Sequence, residues 1–350
     1  MNILIVKTSA IGDVTHTLPA LNALRKQYPD ALIDWLVEEA AADLITGHPD
    51  LNRVLVSRRK RWVDECKKGS FFTVIREVVS FIRELRAVRY DILIDFQGLL
   101  KSGILIALSR AKRKIGFGKG MEHAEHSYLF LNEKTPPVDM NIHAVDREKV
   151  LLAAIGVEHE GDYRLFIPEE SKQELKDLLT EAEIDVNKPL IAINPMTTWP
   201  TKHWNDKSFA ELADLLIRRG MAVVFTGGSN DRVGVDEIIG RMKERGAYNL
   251  VGKTSLKSLA ALYSQARAVV STDTGPMHIA AAAGTPVVAI FGPTAPWRTG
   301  PYGKQHKVIR LDLPCSPCLK KQCKLGTNAC MAEIDAEMVM KEVESLCLKR

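Results

Sequence analysis

The sequence has no apolar run long enough to cross a bilayer as a helix; its longest runs are short and interrupted by polar residues. Its first residues, MNILIVKTSAIGD, show neither the charged start nor the small-residue cleavage site of a secretory signal, and read instead as a first β-strand. A cytoplasmic protein is expected. Low-complexity tracts are also missing, and 46% hydrophobic with 26% charged residues is the balance of an ordinary folded enzyme rather than a disordered chain. The glycine turn after the first strand, TSAIGD, is neither a G-x-G-x-x-G fingerprint nor a phosphate loop. That argues against a dinucleotide dehydrogenase and against an NTPase. The net charge of +5 is unevenly spread: Arg58, Arg59, Lys60 and Arg61 are consecutive, and Arg110, Lys112, Arg113 and Lys114 form a second cluster. No helix-turn-helix, RRM or zinc-finger pattern accompanies them, so no nucleic-acid partner is expected. Phosphates or an anionic membrane surface suit such clusters, and so does a plain solvated surface loop.

What the chain does have is a regular alternation of strands and helices. Asn2 to Val6, Ala31 to Val37 and Asp91 to Asp95 read as strands, while Val14 to Gln27 carries Leu18, Leu21 and Leu24 at helical spacing. Further helices are predicted from Phe71 to Arg86 and from His143 to Ile155. A stretch from about Glu158 to Pro189, containing a charged helix, reads as a linker. The alternation then restarts with LIAIN at Leu190, AVVFT at Ala222 and the apolar run that ends at Ser271. This pattern implies an α/β protein with parallel, doubly wound sheets, and 350 residues suffice for two such domains. The expected organisation is a Rossmann-like domain over 1–165, a second over 185–330, and a C-terminal helix within 331–350 that could return to the first domain. A cleft between the halves is the default binding site.

Three strand-end loops carry residues suited to chemistry. In VVSTDTGPMHIAAAAGTPVVAIFGPTAP, Asp273, Thr274 and Gly275 form a polar turn before a small-residue helix, with Pro276 suited to its first turn. A helix start of this kind offers free N–H groups and a positive end to an anion. An acid, a hydroxyl and a glycine there could hold a ribose and a diphosphate; alternatively, the Asp and Thr only cap the helix. The loop from Met196 to Trp204 presents Thr197, Thr198, Lys202 and His203, which serve either as phosphate ligands or as caps beside a solvated lysine. Asp13, just after the first strand, is either a general base or a carboxylate stabilising a helix start.

Cysteine is clustered. Cys315, Cys318, Cys323 and Cys330 give C-x2-C-x4-C-x6-C, which could hold zinc tetrahedrally or an iron–sulfur cluster, although the spacing matches no standard pattern. In a cytoplasmic protein, metal or free thiols are favoured over disulfides. The four lie outside the strand-end loops, so a metal there would be structural.

Taken together, IVKTSAIGDVTHTLPAL, IDWLVEE, YDILIDFQGLLKS, HAVDR, TTWPTKHW and STDTGPMHIAAAAGTP resemble, in order and spacing, the lipopolysaccharide heptosyltransferases of glycosyltransferase family 9. The likeness spans most of residues 1 to 310 and is strongest to the members that act first, on Kdo. It implies a GT-B fold and inverting transfer of L-glycero-D-manno-heptose from ADP-heptose to a Kdo hydroxyl of the inner core, with no cofactor required for catalysis. The resemblance makes Asp13 the base and assigns donor contacts to Thr197, Thr198, Lys202, Asp273, Thr274, Gly275 and His278. It assigns Arg58, Arg59, Arg61, Gln97 and Lys101 to an anionic, Kdo-containing lipid A precursor, and so implies a protein peripheral to the inner face of the inner membrane. Arg147 in HAVDR also matches a family position. A second heptosyltransferase or a family member with another donor is the alternative, and a non-catalytic nucleotide-binding protein is the reading from a different class. GGSND (Gly227 to Asp231), the segment Gly118 to His126 and the cysteine cluster depart from the family pattern.

Overall fold

The computed structural model describes residues 1–121 and 125–347, so part of the divergent segment Gly118 to His126 lies outside the described residues. The chain divides into two compact units, 1–166 and 167–350.

In the first unit, β1 (Asn2–Val6), β2 (Leu32–Glu38), β3 (Arg53–Ser57), β4 (Tyr90–Asp95), β5 (Ala111–Phe117) and β6 (Glu133–Thr135) form one sheet in the order β3-β2-β1-β4-β5-β6. Every pairing is parallel. The central strands are apolar almost throughout, because helices cover both faces of a parallel sheet. Ile3, Leu4, Ile5 and Val6 are fully buried.

The second unit repeats the plan with β7 (Leu190–Asn194), β8 (Ala222–Phe225), β9 (Ala247–Asn249), β10 (Ala268–Thr272), β11 (Val287–Phe291) and β12 (Lys307–Arg310), ordered β12-β11-β10-β7-β8-β9. Counted from its own first strand, this is the same order as in the first unit. Each sheet therefore winds outward from its first strand in one direction and then, from its fourth, in the other. The switch points lie between β1 and β4 (Val6 beside Asp95) and between β7 and β10 (Asn194 beside Ser271). Loops at the C-terminal ends of these strands border the crevice where doubly wound sheets bind ligands.

Two expectations about domain limits are corrected. The charged helix Glu169–Glu181, read as a linker, belongs to the second unit. Its Leu175 and Leu179 are buried, it packs on the helix Leu256–Gln265, and Ser258 Oγ donates to Glu174 Oε2 at 2.6 Å. A charged composition conceals this because only one narrow stripe of the helix is apolar. The C-terminal helix Ala336–Cys347 does not return to the first unit. It buries Val339, Met340, Val343 and Leu346 against the helix Asp206–Arg218 and against β10, β11 and β12. Just before it, the carbonyl of Ile334 accepts a 2.8 Å hydrogen bond from the indole N–H of the fully buried Trp204, which stands edge-on to Phe209.

Truncating Met340 to Ala should therefore destabilise the second unit by about 2–4 kcal/mol, the usual range for a buried large-to-small change. Hydrogen exchange of the full chain checks this: protection should fall within 167–347 and hold in 1–166.

Candidate active site

In the first unit, the loops after β1 and β4 are tied together by one side chain. Gln97 Oε1 accepts from the Thr8 N–H at 2.8 Å, the Thr8 hydroxyl at 3.0 Å and the Ser9 N–H at 2.8 Å. Lys101 donates to Ser9 Oγ and to Glu38 Oε1, the latter at 3.0 Å. Asp13 sits in the first turn of the helix Ile11–His16, half-buried, and its Oδ2 accepts from the Ala10 N–H at 2.9 Å. One carboxylate oxygen thus secures the turn, and an acceptor-only group is held at a strand-end loop.

Below this turn runs a buried polar network. Lys7 Nζ donates to the Phe96 carbonyl at 2.8 Å and pairs with Glu148 Oε1 at 3.1 Å, while the Thr17 hydroxyl donates to the same carboxylate oxygen at 2.7 Å. Burial pushes the Glu148 carboxyl upward, Lys7 opposes that shift, and the nearby charge of Asp13 adds to it. Asp95, at the end of β4, accepts from the N–H groups of Gln97 and Gly98 and from the Ser102 hydroxyl. Burial nevertheless pushes its carboxyl up to about 6.

The basic run does not form a solvated loop. Arg58 caps and Arg59 opens the helix Arg59–Lys67. Each arginine has an acidic partner: Arg58 with Glu39 at 3.1 Å, Arg59 with Glu38 at 3.4 Å, and Arg61 with Glu77 at 2.6 Å. Glu38 is shared with Lys101, which links the basic helix to the loop after β1. Arg147 donates to the Met140 carbonyl at 3.3 Å, a local structural contact.

The helix Phe71–Arg86 has two apolar faces. Val74, Phe81 and Leu85 face the core, whereas Phe72 is 91% exposed and Ile75 and Val79 lie outward with it. Spacing of i, i+3 and i+7 places those three on one stripe, beside exposed Arg76 and Arg83. The stripe is legible in the sequence, but periodicity alone does not say which apolar face is covered.

In the second unit, Lys202 Nζ pairs with Asp273 Oδ2 at 2.7 Å, and both side chains are largely buried. The pair joins the loop after β7 to the loop after β10. Lys202 also stands 4.6 Å from the centre of the Trp199 ring, and Thr197 Oγ1 accepts from the Trp199 N–H. Thr198 is exposed. Asp273 does not cap the helix, and neither does Thr274, which occupies the cap position of Gly275–Ala282 but whose hydroxyl accepts no capping hydrogen bond. Thr274 and Gly275 are accessible, so the positive helix end is open to an anion; His278 is buried one turn further on.

Two residues not singled out from the sequence stand nearby in the fold. The hydroxyls of Thr272, at the end of β10, and Thr294, just beyond β11, are buried with no hydrogen-bond partner among the described residues. A buried unpaired hydroxyl is uncommon enough to mark a ligand or water position. Asp231 is committed locally, its Oδ2 accepting from the Gly228 N–H at 2.8 Å. Two larger cavities of the unit, about 470 and 670 Å³, are lined by Ile184 and Val186, with Pro189 and Arg267 in the smaller one. They flank the N-terminal ends of β7 and β10, away from these loops.

The four clustered cysteines line one cavity of about 240 Å³. Cys315 and Cys318 are exposed and Cys330 is buried. Among the described residues, no three Cys, His, Asp or Glu side chains are placed to hold a single metal ion.

The profile of glycosyltransferase family 9 (heptosyltransferase) matches residues 78–329, well over half of the chain. The chain belongs to this family. It is 36% identical to lipopolysaccharide heptosyltransferase 1 of Pseudomonas aeruginosa, over all of its own length and 94% of the relative's. It is 33% identical to lipopolysaccharide heptosyltransferase 1 of Escherichia coli K12, over 89% and 93%. Among solved structures it resembles a family 9 glycosyl transferase from Veillonella parvula, with a TM-score of 0.85 at 26% identity over 100% of this chain and 98% of that one. It also resembles the E. coli heptosyltransferase WaaC with ADP, with a TM-score of 0.79 at 29% identity over 99% and 100%. The protein is accordingly a GT-B glycosyltransferase, and its two sheets are the paired Rossmann-like units of that class. No helix among the described residues is long and apolar enough to cross a membrane.

Asp95 generates a test of the buried network in this glycosyltransferase. Its folded carboxyl titrates near 6 against an ordinary value of 3.8, so the folded chain holds a proton that the unfolded chain releases. The associated stability is complete below about pH 4 and is lost as pH rises through about 6, on the order of 2–3 kcal/mol. Urea denaturation from pH 4 to 7 should show this fall in the wild type and a smaller one in Asp95→Asn, where Glu148 still contributes.

Proposed function

We propose that this family 9 enzyme transfers L-glycero-D-manno-heptose from ADP-heptose to a Kdo hydroxyl of the lipopolysaccharide inner core, with inversion. The observation that carries the donor assignment is the 2.7 Å Lys202–Asp273 pair beside the accessible start of the helix Gly275–Ala282. Lysine, an uncommitted threonine hydroxyl and a helix N-terminus are the groups that neutralise a leaving diphosphate, and they do so without a metal. The relatives' names agree: one solved relative holds ADP and another ADP-2-deoxy-2-fluoro heptose.

In this reading the acceptor hydroxyl oxygen attacks the anomeric carbon from the face opposite the leaving group. The bond from that carbon to the ADP oxygen breaks, ADP takes the electron pair, and Asp13 takes the hydroxyl proton. Thr197, Thr198 and Lys202 hold the donor phosphates together with Thr274 and Gly275. Asp273 orients Lys202, and His278 supports the helix start. Arg58, Arg59 and Arg61 exchange their present carboxylate partners for Kdo carboxylates and lipid phosphates. Gln97 and Lys101 position the loop that carries Asp13. A lipid-linked acceptor also gives a role to the outward stripe of Phe72, Ile75 and Val79: apolar side chains flanked by Arg76 and Arg83 match an anionic bilayer surface.

A transfer assay with ADP-heptose and Kdo2-lipid A, run against other nucleotide sugars, tests the substrates; turnover with a different donor alone would replace this assignment. Asp13→Ala should lower kcat by about 10²–10⁴-fold, the usual worth of a general base, while ADP affinity stays within about twofold. Unchanged turnover would remove Asp13 from the mechanism. Lys202→Ala should instead weaken ADP binding by about tenfold or more, as expected for loss of a charge-assisted contact. For the membrane face, Phe72→Asp with Ile75→Asp should reduce co-sedimentation with anionic vesicles at least about tenfold, given the apolar area withdrawn.

A further inference from the structure

The segment between β12 and the short helix Ala329–Ala332 covers residues 311–328 and contains no regular secondary structure. Connections of this length inside a compact unit are uncommon unless something holds them. Leu319 and Asn328 both adopt left-handed backbone conformations, with φ of 54° and 48°, which for leucine is a strained state that surrounding structure must maintain. Leu311 and Leu313 pack against the core at the start of the segment, but further along Leu319 is 40% exposed and Leu325 is 68% exposed.

What the segment does contain is sulfur. Cys315, Cys318 and Cys323 share one cavity with Cys330, which follows in the helix. The backbone N–H groups of Leu325, Gly326, Thr327 and Asn328 turn toward the Cys323 sulfur. The segment is also stitched to the donor loops. Its Lys320 carbonyl accepts from the Thr201 hydroxyl at 2.7 Å, next to Lys202, and Lys321 stands over the other contact of Lys202, the Trp199 ring, at 5.3 Å. The Leu319 N–H donates to the Pro293 carbonyl at 2.7 Å and the Ser316 hydroxyl to the Gly292 carbonyl at 2.6 Å, both beyond β11.

We propose that Cys315, Cys318, Cys323 and Cys330 ligate one thiophilic inorganic centre, an iron–sulfur cluster or a zinc ion, which clamps the loop bearing Lys202. Each thiol gives its proton to solvent as it ligates. Ligation draws the exposed Cys315 and Cys318 side chains toward the buried Cys330 across the cavity they share.

Anaerobically purified full-length protein should contain either iron with acid-labile sulfide or about one zinc per chain, and the sulfide assay separates the two. The double variant Cys315→Ser, Cys318→Ser changes only exposed positions and should lose the centre. Hydrogen exchange should then rise in 195–203 and 311–330 and stay unchanged elsewhere. The site is overturned by less than about half an equivalent of either metal together with no uptake from zinc or from ferrous iron plus sulfide, or by finding the four cysteines paired as disulfides. Loss of the centre with unchanged exchange in 195–203 would overturn the clamp.

Discussion

Parallel strand pairing is the constraint on which the rest of this structure depends. Two parallel strands cannot be joined by a tight turn, so every connection crosses a face of the sheet and every strand ends on the same side. Both units start at a central strand, wind outward, and restart beside the first strand. At that restart the loops after β1 and β4, and after β7 and β10, diverge to opposite faces of their sheets and leave backbone groups open between them. Gln97 and the Lys202–Asp273 pair occupy equivalent places in the two units, each bridging the two loops at its switch point.

Buried charge marks the same places. Lys7 with Glu148, and Lys202 with Asp273, are ion pairs largely removed from water. Such pairs contribute little net stability, because desolvation offsets most of the attraction, but removing one partner leaves a costly isolated charge. Their consequence is geometric: a lysine held by a carboxylate has one position. In the first unit that rigidity underlies the turn carrying Asp13, and in the second it underlies the helix start at Gly275. The arginines of the basic helix behave differently: the part-exposed pairs with Glu39 and Glu77 cost little to exchange for other anions, and the buried Glu38 keeps Lys101 as a partner when Arg59 leaves it.

Most of the fold was legible because parallel sheets write themselves as short apolar runs separated by helical periodicity. ILIV, DILID, LIAIN and AVVF are strands where expected. The charged helix Glu169–Glu181 and the C-terminal helix were misplaced for a common reason: amphipathic periodicity predicts a helix but not which neighbour covers its apolar stripe. The candidate site residues can be named one by one from the sequence, but their pairings cannot. Asp13, Lys202 and Asp273 were all singled out, yet the union of Lys202 with Asp273 spans 71 residues and left no local trace. Thr272 and Thr294 were missed because an unpaired hydroxyl is a property of its surroundings.

The sequence by itself determined the alternation of strands and helices, the two-unit α/β plan, the polar loops at strand ends and the clustering of four cysteines, all of which are set by local spacing and residue type. Tertiary structure decided which carboxylate each cation meets, which apolar face of Phe71–Arg86 stays exposed, and that four thiols separated along an irregular segment line a single cavity. These are long-range outcomes. They follow from how the elements pack, and packing energy depends on contacts between residues that carry no mark of one another in the chain.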